Sequence, residues 1–324
     1  MTKKILLAVV CGVVSTVLYL CLMINTVKTE QLKVPQGALF EVHAGQGALS
    51  VCERWEKLGW IQQCWRYRAF FKLFPLEGGM QKGVYEFSSM PVFEAYNRIL
   101  KGKQKQFSFT IIEGETFSQV LHKMKSSPYL EFDFNPDESA LEYEGWLLPE
   151  TYHYVAYTKA TDLAKRAHQQ MDKLLKTTWA NKMDDLPLAT PYEALILASI
   201  IEKETAVADE RATVASVFVN RLRKGMRLQT DPTVIYGLGE RFNGDITRAH
   251  LKEKTPYNTY RIDGLPPTPI AMPSAGAVTA ALNPRQTNYY YFVADGEGGH
   301  TFSTTLEEHN KAVKLFLEKS KHAG

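Results

Sequence analysis

The stretch Thr190-Pro191-Tyr192-Glu193-Ala194-Leu195-Ile196-Leu197-Ala198-Ser199-Ile200-Ile201-Glu202-Lys203-Glu204-Thr205 decides how this chain folds. Thr190 followed three residues later by Glu193 is a capping-box pattern, and Pro191 takes the first helical position, where a missing N–H does no harm. The helix then runs through Ala194 to Ile201 and is apolar all round, so it is expected to be buried. A carboxyl at the C-terminal end of such a helix is disfavoured as an anion twice, by poor solvation and by the negative end of the helix dipole. Its pKa is expected to rise, which a general acid working near neutral pH requires. The same pattern also reads as the point where a buried helix simply reaches solvent. Spacing does not choose between the two carboxyls: Glu202 lines up with Ala198 and Leu195, Glu204 with Ile200 and Ile201.

Working outward towards the C-terminus, Ala212 to Lys224 reads as a second apolar-rich helix, ending in Asn220-Arg221-Leu222-Arg223-Lys224-Gly225. Met226-Arg227-Leu228-Gln229-Thr230-Asp231-Pro232-Thr233 follows at once. Polar side chains of several kinds, crowded where a helix ends and a loop turns, suit a site that orients hydroxyls and acetamides. Asn220, Gln229, Thr230 and Asp231 are the candidates there. Tyr257-Asn258-Thr259-Tyr260 and Gly264-Leu265-Pro266-Pro267 add aromatic and rigid loop elements of the sort that line a sugar groove, with Tyr257, Asn258 and Tyr260 as candidate contacts. Taken singly, each is more often a turn or a core tyrosine than a ligand contact. Tyr289 to Ala294 and His300 to Ser303 read as a hairpin around a Gly-rich turn, and Thr305 with Glu308 opens a last helix whose Leu306, Val313 and Leu317 share a face.

Working towards the N-terminus, Asp162 to Thr177 is an amphipathic helix by spacing. Phe107 to Ile112 alternates like a strand and leads through Glu113-Gly114-Glu115-Thr116 into a helix from Phe117 to Lys125. This strand, Gly turn, Thr cap and short helix resemble half of a LysM module, a fold that binds N-acetylglucosamine-containing glycans. A plain βα unit fits the pattern as well. Between Val34 and Lys105 come three short helices (48–58, 65–74 and 91–100) and a strand (83–87), a small α+β region with nothing catalytic in it.

Ile5 to Ile24 is a run of twenty uncharged residues, ILLAVVCGVVSTVLYLCLMI, long enough as a helix to cross a bilayer core of about 30 Å. The apolar run exceeds a signal-peptide core and no small-residue cleavage site follows before Lys28, so an uncleaved anchor is expected. Lys3 and Lys4 precede the span and Lys28 alone follows closely, which places residues 1–4 in the cytoplasm and the rest outside. Cys11 and Cys21 lie in the span as small apolar residues. Cys52 and Cys64 flank a Gly59-Trp60 break between two helices on the oxidising side, where a disulfide and a pair of buried thiols are both compatible with the spacing.

With 324 residues, 45% hydrophobic and 23% charged, the chain has the balance of an ordinary globular protein of two or three domains. Setting Lys3 and Lys4 aside leaves 36 basic against 35 acidic side chains, too near neutrality for a nucleic-acid binder. There is no H-E-x-x-H, G-x-S-x-G or P-loop string, and the histidines at 43, 122, 153, 168, 250, 300, 309 and 322 show no zinc-ligand spacing. An enzyme without metal or cofactor is expected.

Six strings together closely resemble the YceG-like family: Glu144 to Tyr152 (EGWLLPETY), Ala198 to Thr205 (ASIIEKET), Ala215 to Gly237 (ASVFVNRLRKGMRLQTDPTVIYG), YNTY at 257–260, GLPP at 264–267, and YFVADG at 291–296 with GHTF at 299–302. The resemblance runs from the anchor to the last helix. One departure is Thr268-Pro269-Ile270-Ala271-Met272-Pro273-Ser274, where the family commonly reads Gly-Pro-Ile-x-Asn-Pro-Gly; no role is assigned to side chains there. The resemblance implies an α+β protein with a transmembrane helix at 5–24, a membrane-proximal α+β region at 25–106, a LysM-like unit at 107–140 and a catalytic domain at 141–324. It implies an endolytic lytic transglycosylase of the cytoplasmic membrane that cuts peptidoglycan strands between N-acetylmuramic acid and N-acetylglucosamine and leaves 1,6-anhydro ends. The catalytic residue it implies is the first glutamate of Glu-Lys-Glu-Thr, Glu202. Nascent glycan strands and cell-wall synthases are the implied partners. A muramidase-type hydrolase using Asp231, Glu204 or Glu210 as a second carboxylate, and a non-catalytic glycan-binding scaffold, are the competing readings.

Overall fold

The computed structural model describes residues 2–135 and 140–322, and the chain divides into two compact units. One comprises Met1–Phe107 with Pro128–Glu131 and His153–Thr158; the other comprises Ser108–Ser127, Phe132–Tyr152 and Lys159–Gly324. The first segment of the smaller unit ends at Phe107, and Ser108–Ser127 belongs to the larger unit. Residues 136–139, inside the span 107–140, lie outside the described residues.

In the smaller unit, helix α1 (Thr2–Thr29) is exposed along its apolar run, and its segment Ile5–Thr29 is long and apolar enough to cross a membrane. Only its last turns enter the core, through Met23 and Val27. Strand β1 (Gln31–Leu32), strand β2 (Ala38–Val42), helix α2 (Ala48–Lys57), helix α3 (Cys64–Leu73), strand β3 (Gly83–Phe87), strand β4 (Met90–Pro91) and helix α4 (Val92–Leu100) follow. β2 pairs antiparallel with β3, and β1 with β4. The strand register sets Phe40 and Phe87 against Trp55 of α2, with ring centroids 5.8 and 5.7 Å away, and Trp55 in turn packs on Tyr96 of α4 at 4.8 Å. Aromatic side chains thus interlock at the centre of this core, beside Leu32, Val51 and Ile99.

Cys52 and Cys64 are joined in a disulfide with their Cα atoms 5.6 Å apart, clamping α2 to α3 across the turn at Gly59. Closing a loop with a separation of 12 residues restricts the unfolded chain by an amount worth about 3 kcal/mol. Cys52→Ser is expected to lower the melting temperature by that equivalent, and reductant should then have no further effect. An unchanged melting temperature would mean that packing alone holds the hairpin.

In the larger unit, helix α5 (Phe117–Ser126), helix α6 (Ala140–Tyr143) and helix α7 (Ala160–Ala180) precede helix α8 (Pro191–Glu204). Helix α9 (Arg211–Arg223), helix α10 (Asp231–Leu238), helix α11 (Arg248–Lys252), helix α12 (Ala275–Leu282) and helix α13 (Leu306–His322) follow it. All residues of α8 from Ala194 to Ile201 are buried, because α7, α9, α10 and α12 surround it. The small side chains of α12, AGAVTAAL, let that helix lie close against α8 and α9. Thr190 caps α8 through the Glu193 N–H at 3.2 Å, but the Glu193 carboxylate accepts from Ala189 N–H, so the box closes one residue earlier than its usual form. The strand expected to reach Ile112 stops at Thr110; Ile112 is exposed, and the turn is fixed by Gly114 N–H donating to the Met272 carbonyl at 2.9 Å. α5 does carry a full capping box between Thr116 and Gln119.

The hairpin of Tyr291–Ala294 and His300–Ser303 is antiparallel, and α13 packs on it. The packing face of α13 differs from the expected one. Leu306 and Leu317 are more than half exposed, while His309 stacks on Tyr291 and Ala312 and Phe316 border a small cavity with Ala294. The hairpin's side chains decide which stripe of the helix is covered, and they lie outside the helix's own sequence.

Glu144 sits with only 2% exposure, accepting hydrogen bonds from Phe117 N–H at the start of α5 (3.1 Å) and from the Tyr236 hydroxyl (3.1 Å). Burial pushes its pKa up to about 7 despite these donors. The folded state therefore binds a proton there that the unfolded chain has released. The stability from this group is complete below the unfolded pKa near 4.5 and is lost as pH rises through about 7, a change on the order of 3 kcal/mol. Glu144→Gln is expected to flatten that part of the stability curve in melts recorded from pH 4 to 8; an unaltered slope would place the titration elsewhere. Beside it, Gly145 adopts φ +78°, and a Cβ there would come within 2.4 Å of Pro269 Cβ, so no other residue fits.

Candidate active site

Both carboxyls of the Glu-Lys-Glu string lie at the end of α8, and their surroundings differ. Glu202 has both oxygens engaged by protein donors. Oε2 accepts from the Ser274 N–H at 2.9 Å and from the Ser274 hydroxyl, and Oε1 faces Arg211 Nη2 at 3.4 Å. Its side chain is 5% exposed and that of Arg211 15%. Ser274 is also the N-cap of α12, accepting from Ala277 N–H at 3.1 Å. Glu202 thus ties α8 to the positive end of α12 and to Arg211, an arrangement that secures the fold.

Glu204, the last residue of α8, has one oxygen engaged: Oε1 accepts from the Thr230 hydroxyl. Among the described residues no hydrogen-bond donor meets Oε2. Burial pushes the Glu204 carboxyl well above the usual carboxylate range; the Thr230 hydrogen bond opposes this and the Asp231 charge adds to it. Two cavities border this residue. One, of about 350 Å³, is lined by Glu204, Arg221, Gln229, Asp231, Tyr260 and His309 with apolar neighbours. The other, of about 630 Å³, is lined by Thr110 to Gly114, Pro149 to Thr151, Glu202 to Glu204, Ala206 and Arg211. Glu204 borders both, and Glu202 only the second.

The loop after α9 positions the polar wall of the first cavity. Gln229 takes a left-handed conformation, φ +50°, held by its N–H on the Thr259 carbonyl at 3.2 Å. A non-glycine residue in that region stores strain that the surrounding structure must offset. Thr230 N–H donates to Thr259 Oγ1 at 3.0 Å, and the Tyr260 hydroxyl donates to Asp231 Oδ1 at 2.7 Å. Burial and the Asp231 charge raise the Tyr260 phenol pKa, so it stays protonated.

Of the residues expected from the sequence to contact substrate, Gln229, Asp231 and Tyr260 therefore line one cavity, with Thr230 directly on Glu204. Asn220, Tyr257 and Asn258 do not line either cavity. The Asn220 amide donates to the carbonyls of Thr287 and Tyr289. Asn258, 1% exposed, donates to three carbonyls at His250, Leu251 and Glu253, and so shapes the loop that carries Tyr260. Tyr257 packs on Tyr236 with its hydroxyl on Thr268.

Other residues at the site carried no sequence signal of their own. Arg221 is 8% exposed and donates to the carbonyls of Tyr290 (2.6 Å), Leu228 (2.8 Å) and Arg227 (3.3 Å), locking the loop of Gln229 to the hairpin. Its guanidinium lies 5.1 Å from the Tyr291 ring centre. His300 is held by Glu210, Nδ1 to Oε2 at 2.6 Å. A buried arginine inside a surface-like string, Asn220-Arg221-Leu222-Arg223-Lys224, is indistinguishable from its exposed neighbours until the fold is known.

Residues 40–315 match the YceG-like family. The chain is 38% identical over 175 residues to a Bacillus subtilis (strain 168) protein named endolytic murein transglycosylase, a match covering 54% of this chain and 48% of that protein. It is 32% identical over 212 residues to a Streptococcus pneumoniae serotype 2 (strain D39 / NCTC 7466) protein of the same name, covering 62% of this chain and 37% of that one. The matches thus span half or less of the length of these relatives. The crystal structure of a YceG-like protein from Listeria monocytogenes superposes with a TM-score of 0.54 at 28% identity, covering 85% of this chain and 98% of the other. A match over residues 40–315, most of the chain, is sufficient: the chain belongs to the YceG-like family.

Proposed function

We propose that the protein is an endolytic murein transglycosylase with Glu204 as its acid and base, in place of the Glu202 that the family resemblance alone suggests. The observation that carries this is the position of Glu204, a carboxyl of raised pKa that borders two cavities and has one oxygen that meets no hydrogen-bond donor among the described residues. A glycan strand laid along both cavities would present an internal bond to this group, as endolytic cleavage between N-acetylmuramic acid and N-acetylglucosamine requires.

Glu204, protonated, gives its proton to the glycosidic oxygen as the C1–O bond breaks and positive charge develops at C1 of the muramic residue. The carboxylate then takes the proton of that residue's C6 hydroxyl while the C6 oxygen bonds to C1. The acid is restored and the product ends in a 1,6-anhydro ring. An internal hydroxyl already beside C1 removes the need to bind and activate water. Gln229, Asp231 and Tyr260 would orient the sugar, and Thr110 to Gly114 of the LysM-like segment would wall the other side of the groove.

Asp231 lies near enough to raise the Glu204 pKa, and this favours a second reading, a hydrolase with Asp231 as the base for water. Purified sacculi incubated with the protein and analysed by mass distinguish the two. Anhydro ends are the expected product, reducing ends would establish the hydrolase, and no new ends would leave a glycan-binding scaffold. With α1 as a single-pass anchor, N-terminus inward, the enzyme would work on nascent strands at the outer face of the cytoplasmic membrane, where cell-wall synthases are its natural partners.

A further inference from the structure

Helix α3 has two apolar stripes. Cys64, Tyr67 and Phe70 are buried in the core of the smaller unit. On the opposite side Trp65, Ala69 and Leu73 recur every fourth residue, one above the other. Trp65 is 50% exposed and Leu73 58%, and Phe74 at the helix end is 51% exposed. Basic residues flank this second stripe: Arg66 beside the Trp65 ring at 5.8 Å, Arg68 in a pair with Glu53 at 2.7 Å, and Lys72. A solvent-facing stripe of Trp, Leu and Phe edged by Arg and Lys has no purpose in folding the unit, since the core face of the helix is already filled.

The stripe's location says what covers it. α3 packs against α1, and α1 enters the core through Met23, Ile24 and Val27, where its uncharged run ends. The Tyr67 hydroxyl donates to Glu30 Oε2 at 2.9 Å and Gln62 N–H to Glu30 Oε1 at 3.3 Å, so α3 is tied to the residues that directly follow the span. An element fastened there is held at the level of the lipid headgroups whenever α1 crosses a bilayer. Trp at that level, with Arg and Lys beside it, is the composition of an interfacial segment: the ring buries its apolar body while the cations meet phosphates.

We infer that the outer face of α3, through Trp65, Leu73 and Phe74, rests in the headgroup region of the membrane, with Arg66 and Lys72 on lipid phosphates. The inference rests on the reading of α1 as a membrane anchor. Its effect is orientational: a second contact beside the anchor restricts how the smaller unit tilts over the bilayer.

The full chain in phosphatidylglycerol-containing vesicles, with and without lipids brominated near the headgroup, tests this through tryptophan emission. The chain has five tryptophans, of which Trp55 and Trp60 in the same unit are buried. Brominated lipid is expected to dim the wild-type emission, and Trp65→Phe to remove most of that dimming. Leu73→Glu, which places a carboxylate in the stripe and leaves all tryptophans, is expected to weaken it. No dimming, or equal dimming in wild type and Trp65→Phe, from a chain that stays in the vesicles through an alkaline wash would overturn the interfacial contact alone. Release of the chain by alkali would overturn the anchor reading and the contact with it.

Discussion

Glu204→Gln is expected to stop the formation of anhydro ends, a loss on the order of 1,000-fold or more, with the melting temperature little changed. The amide keeps the shape and still accepts from the Thr230 hydroxyl, but it can neither deliver a proton to the leaving oxygen nor take one from the C6 hydroxyl. Proton transfer by a positioned side chain is worth about 10²- to 10⁴-fold, and here one group serves in both directions. Glu202→Gln is the paired measurement. It weakens the buried contacts to Arg211 and Ser274 and so is expected to lower the melting temperature while anhydro ends still form. The opposite pattern, an active Glu204→Gln and a stable, dead Glu202→Gln, would return the chemistry to Glu202. In wild type the rate should fall as pH rises through the elevated Glu204 pKa, because the anion cannot act as the initial acid.

The second large effect is expected at Arg221. Arg221→Met keeps most of the buried stem but leaves the carbonyls of Tyr290, Leu228 and Arg227 without their donor. An unpaired buried polar group costs about 1–3 kcal/mol, so the variant is expected to lose about 3 kcal/mol or more of stability. Turnover at temperatures where it remains folded should fall about 100-fold, since Gln229 and Asp231 would no longer be held against the cavity and small misplacements are costly in rate. Arg221→Lys should recover little, because an ammonium cannot reproduce the fork that spans the loop and the hairpin. A folded Arg221→Met with full activity would show that the loop holds its shape without the arginine.

Secondary structure was legible wherever the chain carries its own punctuation. The caps at Thr116, Thr190 and Thr305 open helices, and the turns at Gly59 and Gly114 have positive φ; the Ser274 cap of α12 carried no such signal. The all-apolar run of α8 announced a buried helix with carboxyls at its end, which is local information. Less was legible for the disulfide. Spacing across a helix hairpin permitted the Cys52–Cys64 bond, but only the packed hairpin brings the Cα atoms to 5.6 Å.

The sequence by itself determined the apolar span, the family and the pair of carboxyls at the end of a buried helix. These follow from period, length and shared strings, properties read along one dimension. Tertiary structure alone distinguished Glu202 from Glu204. Ser274 and Arg211, which occupy Glu202, come from 72 and 9 residues away, and Thr230, which meets Glu204, from 26. Asn258 and Asn220 likewise have the chemistry of ligands, and only the fold commits their amides to backbone carbonyls. The role of a polar side chain depends on which donors and acceptors reach it first, and those partners are set by how the helices and loops pack around α8.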